Sequence, residues 1–266
     1  MGSTRHQTFG NIVDGFQSRG RYTFSFAEMS MAFGGSATAL RSAIRRLKEK
    51  GRLVSPCREF YVIVPVEYRS LGSPPASWFV DDLMRFAGKL YYVGLLSAAA
   101  VYGAAHQQPQ QFQVVTEMPT RPMMTGRVRI AFVRKRDIRH VATQQVKTET
   151  GYMTVSTPED TVFDLVRHVR LCGHLGNVAT VLSELAGSID FARLQDAAAR
   201  ATVPEVQRAG YLLELVGEEA PAERIAEHLR HRRVRPVLLR PGASADGKPL
   251  DERWRLIINE NVEPDL

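Results

Sequence analysis

Apolar residues recur at helical spacing between residues 40 and 47, which predicts an amphipathic helix near the N-terminal end of the chain. Ser36 precedes the apolar stripe and has the hydroxyl of a good N-cap. Gly51 follows it and can adopt the left-handed conformation that ends a helix. The buried stripe at i, i+3, i+4 and i+7 consists of Leu40, Ala43, Ile44 and Leu47.

The opposite face of this helix is basic and carries small hydroxyl side chains. Arginine can bind guanine through two hydrogen bonds, and serine, threonine or arginine can hold phosphates. An isolated basic helix is more often simply a solvated face, so the interpretation depends on the flanking sequence. The proposed DNA contacts are Arg41, Arg45 and Arg46, supported by Ser36, Thr38 and Ser42.

The flanking sequence predicts a winged helix-turn-helix. A first helix is expected at 7–17, and a second helix starts after Ser25 and ends at a turn containing Gly34 and Gly35. Two strands are expected at 52–55 and 60–64, joined by a turn at 56–59. Arg58 in that turn is placed to contact a minor groove or a phosphate, and an exposed turn residue without a ligand is an equally good interpretation.

The net positive charge of the chain is concentrated in residues 1–70, the segment with the predicted winged helix-turn-helix. Residues 1–70 hold 11 Lys and Arg against 5 Asp and Glu, a net charge of +6 out of +7 for the whole chain. This asymmetry favours a polyanionic partner, double-stranded DNA, for the N-terminal part.

A linker at 71–77, with two consecutive prolines and several small residues, is expected to separate domains at 1–70 and 78–266. The second domain is predicted to be mixed α/β. A helix is expected at 78–87, and the small-residue segment 90–105 is interpreted as a buried helix. The expected strands are 112–116, 128–134 and 152–156, with a short one within 138–146, and 237–239 and 254–258 near the end.

A helix beginning at Thr157 and Pro158 opens the helical C-terminal part, because a cap, a proline in the first turn and two acids suit a helix start. Further helices are expected at 177–186, 191–201, 204–216 and 221–231. The expected fold class is therefore α+β: an N-terminal winged helix-turn-helix followed by a mixed α/β domain with a helical C-terminal part.

Composition narrows the class of protein. Hydrophobic residues make up 44% of the 266 residues, which suits a globular protein with a real core. Cys57 and Cys172 have no metal-ligand spacing, and the N-terminus has no signal-peptide pattern. A reduced, cytoplasmic protein without a membrane span is expected, with no metal and no cofactor.

Several strings in the chain resemble the AbiEi-type antitoxins of bacterial type IV toxin–antitoxin and abortive-infection systems, over about residues 10–240. They are YVGLLSAAAVYGAAHQQPQ at 92–110, RKR at 134–136, TQQVK at 143–147, GY at 151–152 and STPE at 156–159. The resemblance implies a winged helix that binds inverted repeats in the promoter of its own operon and represses it. It also implies a C-terminal domain that counters a nucleotidyltransferase-like toxin without requiring a stable complex.

A basic strand is the tentative antitoxicity surface. Arg127 and Arg129 are expected on one strand face, and Arg134, Lys135 and Arg136 cluster at the strand end. Such a cluster suits RNA, a nucleotide or an acidic partner, and a half-exposed strand with solvated arginines explains it equally well.

The chain shows no phosphate-binding glycine loop, zinc motif or nucleophile elbow, so a non-enzymatic protein is expected. His106 is a weak candidate for a ligand-binding or catalytic histidine. Gln145 and Lys147 faintly resemble a nuclease strand, with Glu117 and Asp137 as the available acids. A basic helix end near 221–235 could touch DNA; its members are His228, Arg230, His231, Arg232, Arg233 and Arg235.

Two other functions remain open from the sequence. One is a ligand-responsive transcriptional regulator, whose C-terminal domain senses a small molecule. The other is a nucleic-acid-processing enzyme.

Overall fold

Three helices and a three-stranded antiparallel sheet form the N-terminal part of the computed structural model, which describes residues 8–104, 109–230 and 232–265. The helices are α1 (Phe9–Gln17), α2 (Phe26–Phe33) and α3 (Ala37–Glu49). The strands are β1 (Thr23–Ser25), β2 (Leu53–Cys57) and β3 (Phe60–Ile63), in the order β1-β3-β2. The helix predicted from the apolar stripe is α3, and its Ser36 cap and left-handed Gly51 are as expected.

β1 was missed by the sequence analysis, which treated Ser25 only as a helix cap. Ser25 does both: it ends β1, paired with Phe60, and its hydroxyl accepts a hydrogen bond of 3.1 Å from the Glu28 amide of α2. The first helix begins after Thr8 rather than at residue 7, because the Thr8 hydroxyl caps it.

One apolar core joins these elements. Phe24 of β1 stacks on Tyr61 of β3 with ring centroids 5.4 Å apart, and Phe9 meets Phe33 edge to face at 5.9 Å. Leu40 and Ile44 of α3 are buried in the same cluster. Burial of each such side chain contributes about 1.5–3 kcal/mol, so α3 is held by its apolar stripe and its basic face is left to solvent.

The proline-containing segment 71–77 is packed rather than extended into solvent. Ser73 is fully buried, and the Leu71 carbonyl accepts a hydrogen bond of 2.8 Å from the Arg127 amide. Gly126 adopts φ 58°, and a Cβ there would lie 2.3 Å from the Leu71 oxygen, so only glycine fits. The short helix α4 (Val80–Phe86) follows.

The chain divides into two compact units, one of 1–91, 110–136 and 145–154 and one of 92–109, 137–144 and 155–266. This division does not coincide with the predicted linker at 71–77. That residues 1–70 and 78–266 fold as independent domains stays a prediction.

The segment predicted as one buried helix from 90 to 105 is instead a strand followed by a helix. β4 (Tyr91–Val93) ends at the extended Gly94, and α5 (Leu95–Val101) begins there. The physical reason lies in the residue types, since two tyrosines and a valine favour a strand and the alanines begin only after Gly94.

A six-stranded mixed sheet has the order β6-β7-β5-β4-β9-β8. In the first unit, β5 pairs in parallel with β7, and β6 pairs antiparallel with β7. In the second unit, Val93 of β4 pairs with Val155 of β9 in parallel. The new members are β5 (Phe112–Thr116), β6 (Met123–Thr125), β7 (Val128–Arg134), β8 (Thr143–Thr148) and β9 (Gly151–Ser156).

Two strand predictions need correction here. β6 was missed because it is three residues long and carries two methionines. The short strand expected within 138–146 is a 3-10 turn (Ile138–His140) followed by β8.

The rest of the second unit is helical and ends in a small sheet. The helices are α6 (Pro158–Arg167), α7 (His174–Ala186), α8 (Phe191–Arg200), α9 (Val203–Leu215) and α10 (Glu219–Leu229). The strands β10 (Val237–Leu238), β11 (Leu250–Asp251) and β12 (Leu256–Ile257) have the order β10-β12-β11. The mixed α+β class is thus confirmed. Within the described ranges, no helix is long and apolar enough to cross a membrane.

Candidate functional site

The exposed face of α3 carries all six of its predicted site residues. The Ser36 hydroxyl accepts a hydrogen bond of 3.2 Å from the Ala39 amide, so it is engaged as the helix cap. The five others point away from the buried stripe and are exposed; they are Thr38, Arg41, Ser42, Arg45 and Arg46.

The three arginines on this face differ in their partners. Arg45 lies 3.8 Å from Glu49, one turn later, with its side chain 75% exposed. Arg46 has no ion pair within the described part of the chain. Arg41 is the most constrained, because its guanidinium lies over the Phe26 ring at 4.3 Å and 3.8 Å from the Glu59 carboxylate.

The seventh predicted residue, Arg58, lies in the turn between β2 and β3. Its side chain is 92% exposed and approaches Glu59 at 4.0 Å. The Ser55 hydroxyl supports the hairpin, because the carbonyls of Cys57 at 2.7 Å and Phe60 at 2.9 Å can both accept from it. The structure thus brings α3 and this turn together through Arg41 and Glu59. Sequence reasoning missed Phe26 and Glu59, since neither belongs to a basic pattern.

The basic strand residues do not form a single surface. Arg127 precedes β7 rather than lying on it, which corrects its placement on a strand face with Arg129. Arg129 pairs with Met124 and Arg134 with Thr116, so the two arginines stand at opposite ends of β7. They are five residues apart, roughly 17 Å along a strand, and on opposite faces. Arg134 and Arg136 are exposed, whereas Lys135 is half-buried.

Parts of three of the strings that resemble the antitoxins, those at 92–110, 143–147 and 156–159, meet in the second unit. The Tyr102 hydroxyl accepts a hydrogen bond of 2.9 Å from Gln144, and it donates to the Ser156 carbonyl. The Thr157 amide donates to the Ala142 carbonyl at 3.0 Å. Burial raises the pKa of Tyr102 to about 12, and this hydroxyl therefore stays protonated.

α6 buries two acids of its first turn, Glu159 and Asp160. From the sequence, these acids were expected only to complement the helix dipole. Asp160 is 5% exposed and accepts hydrogen bonds from the Ala142 amide at 3.2 Å and from Arg200 at 2.7 Å. Glu159 is 1% exposed and accepts from the Asp190 amide at 2.8 Å. Buried carboxylates need such donors, so this network fixes the start of α6 against Ala142, the residue before β8, and against α8.

A second pair of contacts holds the other end of α6. Arg167 donates two hydrogen bonds to Glu205 of α9, at 2.5 and 3.0 Å. Burial alone would raise the pKa of Glu205, but the hydrogen bonds from Arg167 and from the Thr202 amide lower it below its usual value. The pair is therefore ionised at neutral pH.

A groove of about 450 Å³ opens beside this end of α6. Its apolar wall includes Val166, Val169, Leu175 and Pro241. Its charged lining includes Arg167 paired to Glu205, Arg240 paired to Glu260 at 2.6 Å, and Arg170, which has no carboxylate partner among the described residues. This lining suits a small anion with an apolar body.

The enzyme candidates that lie within the described residues are Glu117, Asp137, Gln145 and Lys147. His106 and His231 lie outside the described residues. Gln145 donates to the Thr154 hydroxyl at 2.9 Å, Lys147 is exposed, and Asp137 contacts His140 at 2.7 Å. Among the residues described, no group of three or more His, Cys, Asp or Glu is placed to hold a metal ion.

The basic end near 221–235 also differs from its prediction. α10 ends at Leu229, so Arg232, Arg233 and Arg235 lie beyond the helix. Arg230 is paired with Glu223. Burial, followed by the nearby Arg232, lowers the pKa of His228, which disfavours a charged imidazole there.

Comparison with known proteins finds a family model that matches part of the chain and a solved structure with a similar fold. Residues 92–215 match the family model of the AbiEi antitoxin C-terminal domain. The chain is similar in fold to the crystal structure of the RV2827C protein from Mycobacterium tuberculosis, with a TM-score of 0.63 and 19% sequence identity. The match covers 93% of this chain and 89% of that one. No curated protein matches the sequence.

Proposed function

We propose that the chain is a type IV antitoxin that also represses its own operon, and the match of residues 92–215 to the AbiEi antitoxin C-terminal domain supports this proposal. The C-terminal part opposes a nucleotidyltransferase-like toxin. The N-terminal part is a winged helix-turn-helix that binds inverted repeats in the promoter. Both activities belong to the cytoplasm and neither involves a catalytic step, a metal or a cofactor.

The observation that carries the DNA-binding half is the exposed basic face of α3 beside the β2–β3 turn. α3 packs its apolar stripe into the core, so Arg45 and Arg46 extend into solvent where a major groove could receive them. Arg58 in the turn lies on the same side through its contact with Glu59, which links to Arg41. Three helices followed by a hairpin are the arrangement in which such a turn contacts the adjacent groove or backbone.

The antitoxin half is supported by the family match and by the meeting of the resemblance strings around Tyr102, Gln144 and Thr157. The basic residues 127–136 stay a tentative surface for this activity. Because they form two groups at the ends of β7, Arg127 with Arg129 and Arg134 with Arg136 are separate candidates.

The experiment is a binding titration of the full chain on the DNA upstream of its own coding sequence, with a scrambled DNA of equal length as competitor. Footprinting then locates the protected bases. Protection of an inverted repeat, with at least about a hundredfold preference over scrambled DNA, is expected for a specific repressor. Equal affinity for both DNAs would reject the repressor function.

The groove beside Arg170 favours a second candidate, a ligand-responsive regulator. A small organic anion bound there would carry the signal, with its charged group at Arg170 and its apolar body on Val169 and Leu175. Titration of the full chain with hexanoate and with inorganic phosphate, while promoter affinity is followed, separates the two functions. A saturable change in DNA affinity favours the regulator, and an unchanged affinity favours the antitoxin.

A further inference from the structure

Arg41 is held between an aromatic ring and a carboxylate in the protein without DNA. Its guanidinium carbon lies 4.3 Å from the centroid of the Phe26 ring, and its Nη2 atom lies 3.8 Å from Glu59 Oε1. Both partners come from outside α3, since Phe26 begins α2 and Glu59 lies in the β2–β3 turn. The position of Arg41 is therefore set by the neighbouring elements as well as by its own helix.

The backbone of Glu59 is fixed in an unusual conformation. Its φ is 63°, in the left-handed region where a side chain other than glycine or asparagine is strained. Its carbonyl accepts a hydrogen bond of 2.8 Å from the Phe26 amide, which ties the turn to the start of α2. Glycine would satisfy the backbone at this position with less strain, so the carboxylate itself is the feature that needs an explanation.

The Glu59 carboxylate faces two arginines, Arg41 of α3 and Arg58 of the turn. Arg58 Nε lies 4.0 Å from Glu59 Oε1, the same oxygen that faces Arg41. The side chains of Arg41 and Glu59 are 59% and 41% exposed, so a phosphate can reach the guanidinium from solvent. A phosphate would approach the guanidinium that the Glu59 carboxylate already faces, so the two negative charges compete for Arg41.

We propose that Glu59 is a built-in competitor of the DNA backbone for Arg41, and that it lowers affinity for DNA of any sequence while leaving base readout by Arg45 in place. This inference rests on the proposed DNA-binding function of α3. On DNA, Arg41 leaves Glu59 for a phosphate, and the carboxylate then opposes the nearby negative charge. Specific DNA offsets this cost through base contacts, and nonspecific DNA cannot.

The test compares Glu59→Gln with Glu49→Gln in the full chain. Glu49 is the matched control, because it also faces an arginine of the same helix surface, Arg45, at 3.8 Å, but that pair is more exposed and Arg45 is assigned to bases rather than to a phosphate. Affinity for scrambled and for promoter DNA is measured over a range of salt concentrations. Glu59→Gln is expected to bind scrambled DNA about three- to tenfold more tightly, whereas Glu49→Gln changes it by less than about twofold.

Two further variants isolate the cause. In an Arg41→Ala background, Glu59→Gln should bring no more gain than Glu49→Gln does, because the residue for which Glu59 competes is gone. Glu59→Gly removes the carboxylate and the backbone strain together, and should match Glu59→Gln in DNA affinity if charge is the cause.

The outcomes separate the inference from the function on which it rests. Equal affinities of Glu59→Gln and the unchanged protein, or a full gain that persists without Arg41, overturn the competition while DNA binding stands. Failure of the unchanged protein to bind any DNA overturns both.

Discussion

The Tyr92 hydroxyl donates a hydrogen bond of 2.7 Å to the Asp164 carboxylate, and each of these residues is only 1% exposed. The bond joins β4 to α6 inside the segment that matches the AbiEi family model. Burial, followed by the charge of Asp164, raises the pKa of Tyr92, so the hydroxyl stays a donor. A buried carboxylate needs such donors, which makes this contact a stability determinant of the domain.

Tyr92→Phe is expected to destabilise the protein by about 1–3 kcal/mol, because Asp164 loses a donor in an environment that water does not reach. Urea denaturation followed by circular dichroism measures the difference. Tyr152→Phe is the matched control, since Tyr152 is 59% exposed, and it should change the free energy of unfolding by less than about 0.5 kcal/mol. Equal effects of the two variants would contradict the assignment.

Alkaline pH is expected to weaken the fold through tyrosines. Burial raises the pKa of Tyr91, Tyr92 and Tyr102, the last to about 12, from an ordinary value of 10.0. The unfolded chain loses these protons first, so the stability they contribute is complete below pH 10 and falls as pH rises through 10 to 12. Denaturant midpoints measured between pH 8 and pH 11 should fall above pH 10, and by less in Tyr102→Phe. A denaturant midpoint that does not change between pH 8 and pH 11 would show that the pKa values of these hydroxyls are not raised in the folded protein.

Arg45→Ala is expected to cost roughly 1–3 kcal/mol in promoter binding and to relax specificity at one base pair, if Arg45 contacts guanine through two hydrogen bonds. Lys50→Ala, at the end of α3, serves as the control and should weaken binding to all DNAs alike. Competition assays with single-base promoter variants give both numbers. The ratio of promoter affinity to scrambled-DNA affinity tests this role. An unchanged ratio in Arg45→Ala would show that Arg45 does not contribute to base recognition.

The two cysteines are expected to differ in reactivity. Burial raises the pKa of Cys172 to about 12, and its side chain is fully buried, whereas Cys57 is half-buried. The thiolate is the reactive form, so a thiol reagent at pH 8 should modify Cys57 first and Cys172 only on unfolding. Mass spectrometry of the partly labelled protein identifies the site. Early labelling of Cys172 would mean that its surroundings open in solution.

The sequence predicted those elements whose signals are local. α3 followed from its apolar spacing with Ser36 and Gly51 at its ends, and α6 from Thr157 and Pro158. β4 and α5 were merged into one helix, because apolar residues continue through Gly94 and periodicity does not mark the change. The short strand β1 depends on pairing with distant residues, since Thr23 pairs with Val62, and no local pattern reports that pairing.

The candidate site was predictable only in part, for the same reason. The exposed arginines of α3 followed from helical geometry. The contact between Arg41 and Glu59 did not, because it joins residues 18 positions apart through a hairpin turn. The buried Asp160 and Asp164 were also missed, since acids on a helix ordinarily face solvent and only their distant donors explain their burial.

The two groups of basic residues at the ends of β7 divide the proposed antitoxicity surface. Arg134 and Arg136 flank Lys135, so three consecutive cations stand at this end of β7, whereas two arginines stand at the other end. Arg134→Glu with Arg136→Glu is expected to reduce toxin neutralisation, and Arg127→Glu with Arg129→Glu to reduce it less. Growth rescue at matched protein levels compares the two double variants. A larger loss of rescue in Arg127→Glu with Arg129→Glu would indicate that the surface lies at the other end of β7.

Rescue from the toxin tests the central claim most directly. The full chain, or a variant in which Arg41, Arg45 and Arg46 are all alanine, is co-expressed with the product of the adjacent downstream gene, which we propose to be the toxin. We expect the full chain to restore growth, and the triple variant to restore it equally although it no longer binds the promoter. A full chain that is folded and abundant but leaves growth arrested would contradict the antitoxin function.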